Sequence, residues 1–176
     1  MQMLCSLDLN PPEELTDEVV NSLWLMLEEV ERTALEEGGV NVKVVLLSQS
    51  PRNRARLEEI RAFAEERVRG VWNSRKELDE ILGRYLQNWS LYRLGTVERN
   101  ALRIGAWEIM HHSDIPTPIV VNEAVDITKF FSVRVSGKFV NGVLDRLAKV
   151  RNKELDEGVF VPGEIQSALG EGGNDA

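Results

Sequence analysis

The chain has 176 residues, 43% of them hydrophobic and 28% charged, enough apolar material for the core of one domain or of two small subdomains. A single cysteine, Cys5, excludes an internal disulfide and fits a reducing compartment. The net charge of −8, taken alone, argues against a nucleic-acid partner.

The distribution of charge says more than its sum. Glu13 to Glu37 holds nine acids and one base, whereas Lys129 to Lys153 holds seven bases and one acid. Charge runs usually mean solvated faces, so the asymmetry by itself names no partner. Met1 to Asp8 has no basic segment and no long apolar run, unlike a signal peptide. The longest aliphatic run, Val44 to Leu47, is far below the roughly 20 residues of a membrane span, and the reading is a cytoplasmic protein.

In chain order, Met1, Leu4 and Cys5 read as the later half of an amphipathic helix that stops before Pro11-Pro12. A helix that begins mid-stripe without a cap points to an upstream part. Thr16 is a plausible N-cap for a helix whose stripe is Val19, Val20, Leu23, Leu27, Val30 and Ala34, ended by Gly38-Gly39. Val40 to Leu47 is the one β-like stretch, and one strand makes no sheet, so the class is all-α. A second helix is predicted from about Asn53 to Val71 (Leu57, Ile60, Ala64, Val68), and a third from near Ser74 (Leu78, Ile81, Leu82, Tyr85).

A fourth helix spans about Thr96 to His111, with Val97, Ala101, Ile104 and Glu108 on one face and Leu102, Ala106 and Ile109 beside it. After Ser113 to Pro118, Thr117 can cap a fifth, with Pro118 at its first position and a stripe of Val120, Ala124, Ile127 and Phe131. The last runs from Ser136 to about Val150, with Val140, Leu144, Leu147 and Val150 inward. The tail from Glu154 is glycine-rich at its end and reads as disordered.

Catalytic and metal constellations do not emerge. His111 and His112 are adjacent, about 100° apart on a helix, poorly placed to share a metal, and suit a helix C-terminus. Glu108, Glu123 and Asp126 lack a nucleophile to serve and read as helix-end or inter-helix hydrogen bonders.

The last helix is different. With Phe139 set at about 0°, Arg146 falls near −20°, Gly142 near −60° and Lys138 near −100°, whereas Val140, Leu144 and Leu147 lie at about +80° to +140°. Phe139 therefore stands at the edge of the buried face beside cations. A ring among cations can stack on an unpaired RNA base while the cations meet phosphates. It can equally be ordinary core beside Val143, and periodicity does not choose. A mid-helix glycine such as Gly142 costs roughly 1 kcal/mol against alanine, which usually signals close helix packing or the close approach of a ligand backbone.

Lys138-Phe-Val-Asn-Gly-Val-Leu-Asp145 resembles the C-terminal signature of the NusB family of transcription antitermination factors. Gly95 to Glu108 and Asp114 to Lys129 resemble the family's two other signature helices, in the same order and spacing, and Phe63 to Ile81 with Gly70 and Asp79 is similar too. Residues 63–148 carry the resemblance best, Met1 to Leu9 resembles the end of the family's first helix, and residues 10–62 look divergent and longer. The resemblance implies one NusB-like helical domain over residues 1–150, built of two packed bundles with about six to seven helices, and a tail over 151–176.

The resemblance further implies binding of single-stranded boxA-type RNA together with the small-subunit ribosomal protein NusE. It implies action with other Nus factors and RNA polymerase against premature termination, notably on ribosomal RNA operons, with no cofactor and no catalysis; the residues themselves predict no metal site and no membrane span. Lys138 and Phe139 match positions that meet RNA, with Arg134 and Arg146 as further cationic candidates; Glu98 matches an acid that meets the ribosomal protein. Cys5 stands near that partner surface, where the family often has an aromatic. Arg103, Asn122, Glu123, Asn141 and Gly142 match signature positions read as structural, for inter-helix hydrogen bonds and close packing. The family's arginine-rich N-terminal arm is not matched, which predicts weaker phosphate contact. Two other readings stay open: an interaction module that has lost RNA binding, favoured by the acidic total, and a non-catalytic domain related to ribosomal-RNA cytosine methyltransferases.

Overall fold

The computed structural model describes residues 1–36, 51–86, 90–132 and 136–156. The strand-like stretch from Val40 to Leu47, the Gly38-Gly39 stop, Arg134 and residues 157–176 lie outside the described residues. The described elements are all helical: α1 (Gln2–Leu9), α2 (Asp17–Glu36), α3 (Pro51–Asn73), α4 (Arg75–Tyr85), a single 3-10 turn (Leu91–Arg93), α5 (Thr96–His111), α6 (Thr117–Phe131) and α7 (Ser136–Asp156). The chain divides into two compact units, Met1–Arg75 and Lys76–Ala176. No helix among the described residues is long and apolar enough to cross a membrane.

In the first unit α1 packs on α2 and α3. Met3, Leu4 and Leu7 of α1, Val20 and Leu23 of α2, and Val68, Val71 and Trp72 of α3 are buried. Thr16 caps α2 as its sequence predicts, its hydroxyl oxygen accepting from the Val19 N–H at 3.3 Å. Polar side chains then tie α2 to α3. Trp24 Nε1 donates to Glu65 at 2.7 Å, and Arg61 reaches Glu65 and Asn21, both at 2.9 Å. α3 begins two residues before the expected Asn53 and ends two after Val71, with Pro51 in its first turn, where a missing N–H is harmless. Ile60, expected on its inner stripe, is exposed.

In the second unit α5, α6 and α7 pack against one another pairwise. The buried face of α5 is wider than one stripe: Ala101, Leu102, Gly105, Ala106, Trp107, Ile109 and Met110 are all buried. Val97, Ile104 and Glu108, which share one face with Ala101, are only part-buried. A helix with two neighbours buries two sides, so its core centres on Leu102 and Ala106 rather than on a single 3.6-residue row. Arg103 is also buried, and its guanidinium forks onto Asp79 of α4, Nε to Oδ1 and Nη2 to Oδ2, both at 2.7 Å.

Further boundaries differ from the sequence reading. Thr117 is the first residue of α6 and makes no capping hydrogen bond; Pro116 occupies the cap. Phe131 and Val150, placed at the ends of inner stripes, are both exposed. α7 runs on to Asp156, so residues 151–156 are helix and not the start of a tail.

A tight inter-helix approach lies at Gly105 of α5. A Cβ there would lie 2.5 Å from Leu144 Cδ1 and 3.1 Å from Cδ2, and Leu144 is fully buried in α7. Gly105→Ala should therefore destabilise the protein by about 1–3 kcal/mol through overpacking, despite alanine's better helix propensity. Urea unfolding checks this; an unchanged or raised midpoint would show that Leu144 finds another rotamer.

Candidate nucleic-acid interface

The candidate site lies on the outward side of α7. Val140, Val143, Leu144, Leu147 and Ala148 are buried against the bundle. Lys138, Gly142, Arg146 and Lys149 are exposed on the opposite arc, and Phe139 is part-buried at its flank. Phe139 is thus neither full core nor a free ring, and a part-buried ring beside cations can serve as a stacking platform.

Charge pairing decides which cations remain available. Lys129 binds Asp126 at 2.9 Å, and Lys149 binds Asp145 at 2.7 Å. Arg151 is buried, and burial pushes its guanidinium below the ordinary arginine range. Lys153 is engaged as well. Among the described residues of the basic stretch, Lys138 and Arg146 are the cations left without an ion-pair partner, and they bracket Phe139.

The signature residues divide. Arg103 is structural, joined to Asp79 and, at 3.3 Å, to the Asn100 side-chain oxygen. Asn122, Glu123 and Asn141 are exposed and make no side-chain hydrogen bond among the described residues, so the inter-helix bonds expected of them are not seen. Gly142 corrects the packing reading: a Cβ built on it meets nothing within 4 Å, because the residue faces outward from the bundle. Gly142→Ala should consequently stabilise the protein by about 0.5–1 kcal/mol, read as a raised thermal midpoint. A loss of stability would mean that this face is covered.

The two partner-surface candidates sit in separate units. Cys5, in α1, is part-buried with its thiol 3.7 Å from Met1 Sδ. Glu98 is the third residue of α5, and its carboxylate folds back over Gly95. The Ser132 hydroxyl, at the C-cap of α6, donates to Glu98 Oε1. Burial alone would raise the Glu98 pKa, but the Ser132 and Ser136 hydroxyls and its own backbone N–H outweigh it and hold the carboxyl below the usual glutamate value. That stabilising contribution is full above the ordinary glutamate range and is lost as pH falls through the lowered value. Sequence reading missed both serines. Their signal is polar residues four apart across a helix break, where hydroxyls commonly satisfy helix ends.

At the end of α5, His111 Nδ1 lies 2.9 Å from the Trp107 carbonyl oxygen and its ring stacks on Trp107, while His112 sits 3.7 Å from Asp114. Among the described residues no group of three or more His, Cys, Asp or Glu could hold a metal ion.

The family model described as "NusB family" matches residues 21–149. The chain belongs to the NusB family. The match takes in residues 21–62, which sequence reading had set apart as divergent, and leaves Met1 to Leu9 outside. The transcription antitermination protein NusB of Thermotoga maritima is 44% identical over 82 residues, covering 47% of this chain and 58% of that protein. The NusB of Sorangium cellulosum is 44% identical over 91 residues, covering 52% and 65%. The matched stretch is thus about three fifths of the length of these curated relatives. A chain from the crystal structure of antitermination factors NusB and NusE in complex with dsRNA superposes with a TM-score of 0.58 at 26% identity, over 85% of this chain and 89% of that one. An all-helical NusB fold is therefore common to both.

Proposed function

We propose that this chain is a non-catalytic, RNA-binding transcription antitermination factor. It takes single-stranded boxA-type RNA in partnership with the ribosomal protein NusE, and in the cytoplasm joins RNA polymerase and other Nus factors to suppress premature termination, notably on ribosomal RNA operons. The observation that carries this reading is the arc of α7. Lys138 and Arg146, without ion-pair partners among the described residues, flank part-buried Phe139 beside the open face of Gly142. Cations meet phosphates, the ring takes a base, and the bare glycine lets a sugar-phosphate backbone come close. The neighbour crystallised with NusE and dsRNA supports NusE and RNA as the partners. The net charge of −8 and the two cations without ion-pair partners among the described residues of the basic stretch imply modest affinity alone, and hence dependence on NusE.

The test is binding of a boxA-type RNA oligonucleotide to the full chain, with and without NusE, at two salt concentrations. Two phosphate contacts predict a log–log salt slope of about −1.4, or roughly a sevenfold loss between about 50 and 200 mM salt. Binding strengthened by NusE and weakened by salt supports the reading. No binding with or without NusE sinks the RNA part and leaves an interaction module.

A further inference from the structure

Three helix ends meet at one carboxylate. Glu98 lies in the first turn of α5, Ser132 closes α6, and Ser136 opens α7. Ser132 Oγ donates to Glu98 Oε1, the two serine oxygens are 3.5 Å apart, and both hydroxyls stabilise the ionised Glu98 side chain. Ser136 stands two residues before Lys138 and three before Phe139. The turn bearing the candidate RNA contacts is therefore anchored at its origin by an acid from another helix.

We infer that Glu98 is a positioning residue, which through Ser132 and Ser136 fixes the first turn of α7 and so the direction in which Lys138 and Phe139 face their RNA. Its RNA consequence rests on the function proposed above, but its structural half does not. An exposed acid at a helix N-terminus needs no hydroxyl partners to favour the helix dipole. Here the carboxylate turns to the α6–α7 junction, and Lys129 of α6 packs over the same turn, its Cγ 3.3 Å from where a Gly137 Cβ would stand. Hydrogen bonds to a charged acceptor are among the stronger ones in proteins, and here they span helices rather than one turn.

The deciding measurement is residue-resolved amide exchange on the full chain as wild type, Glu98→Ala, Glu98→Gln, Ser136→Ala and the double variant Glu98→Ala with Ser136→Ala, with affinity for a boxA-type RNA oligonucleotide measured on the same samples. Val140 and Asn141 carry the first amides bonded within α7, and Leu147 reports its middle. Glu98→Ala should speed exchange at Val140 and Asn141 about tenfold, as expected for losing one charge-assisted hydrogen bond, and leave Leu147 unchanged. Glu98→Gln, which keeps an acceptor oxygen, should restore part of the protection, and Ser136→Ala should add little to Glu98→Ala. RNA affinity should fall in the same order, by about tenfold at most. Unchanged exchange at Val140 and Asn141, or equal acceleration at Leu147, overturns the positioning role in favour of simple capping or general support of the fold. Protection that responds as expected in a protein that binds no RNA retains the positioning role and sinks the proposed function.

Discussion

Asp79→Ala should destabilise this protein by about 3–5 kcal/mol, the largest effect expected of any single polar substitution described above. Arg103 is 5% exposed, and its three guanidinium nitrogens find Asp79 twice and Asn100 once. The Tyr92 hydroxyl donates to the same carboxylate at 3.3 Å. Taking Asp79 away strands a cation that cannot shed its proton and has little water to turn to. The loss exceeds the net worth of the pair, because most of it is the uncompensated buried charge. Replacing both partners by apolar residues of similar size, Asp79→Leu with Arg103→Met, should recover most of it. Urea unfolding of the wild type, both single variants and the double variant measures the cycle, with the midpoint shifting at constant slope. A loss below about 1 kcal/mol for Asp79→Ala would class the pair with surface ion pairs and show that water reaches Arg103.

The same pair marks what can be read from residues and what cannot. Asp79 and Arg103 both fall in segments that resemble the NusB signatures, yet nothing in their spacing says that one forks onto the other, since they stand 24 positions apart on two different helices. α5 was legible from end to end because Gly95 precedes it and the Ser113 to Pro118 break follows it. Its inner face was not, because burial by both α6 and α7 widens a stripe into a sector that takes in Trp107 and Met110. Phe131 and Val150 obey the periodicity and still face outward, since a stripe records only direction and a helix end can pass beyond its neighbour. Gly142 shows the opposite case: its helix cost was plain, but whether a neighbour or open space lay against it is a three-dimensional fact. The basic stretch was legible as composition alone. Only the folded structure separates Lys138 and Arg146 from Lys129 and Lys149, which acids already occupy.

That separation makes Phe139→Ala the sharpest test of the interface. Removing the ring should weaken RNA binding by about 1–3 kcal/mol, or roughly 5- to 150-fold, the usual worth of one stacked base. The stability cost should be smaller than for a core phenylalanine, which loses about 3–5 kcal/mol on truncation, because Phe139 is absent from the buried core formed by Val140, Val143 and Leu144. Helical circular dichroism and the urea midpoint measure that side of the balance. Lys138→Ala serves as the contrast. It should lower affinity for every single strand alike and flatten the salt slope by about 0.7, one phosphate contact, whereas Phe139→Ala should leave the slope unchanged. If Phe139→Ala lowers the urea midpoint like a core truncation and leaves the affinity of the folded fraction untouched, the ring belongs to the bundle. The outward arc of α7 would then hold phosphates through Lys138 and Arg146 without reading bases, which cations on a helix do for any nucleic acid, and sequence preference would have to come from the partner.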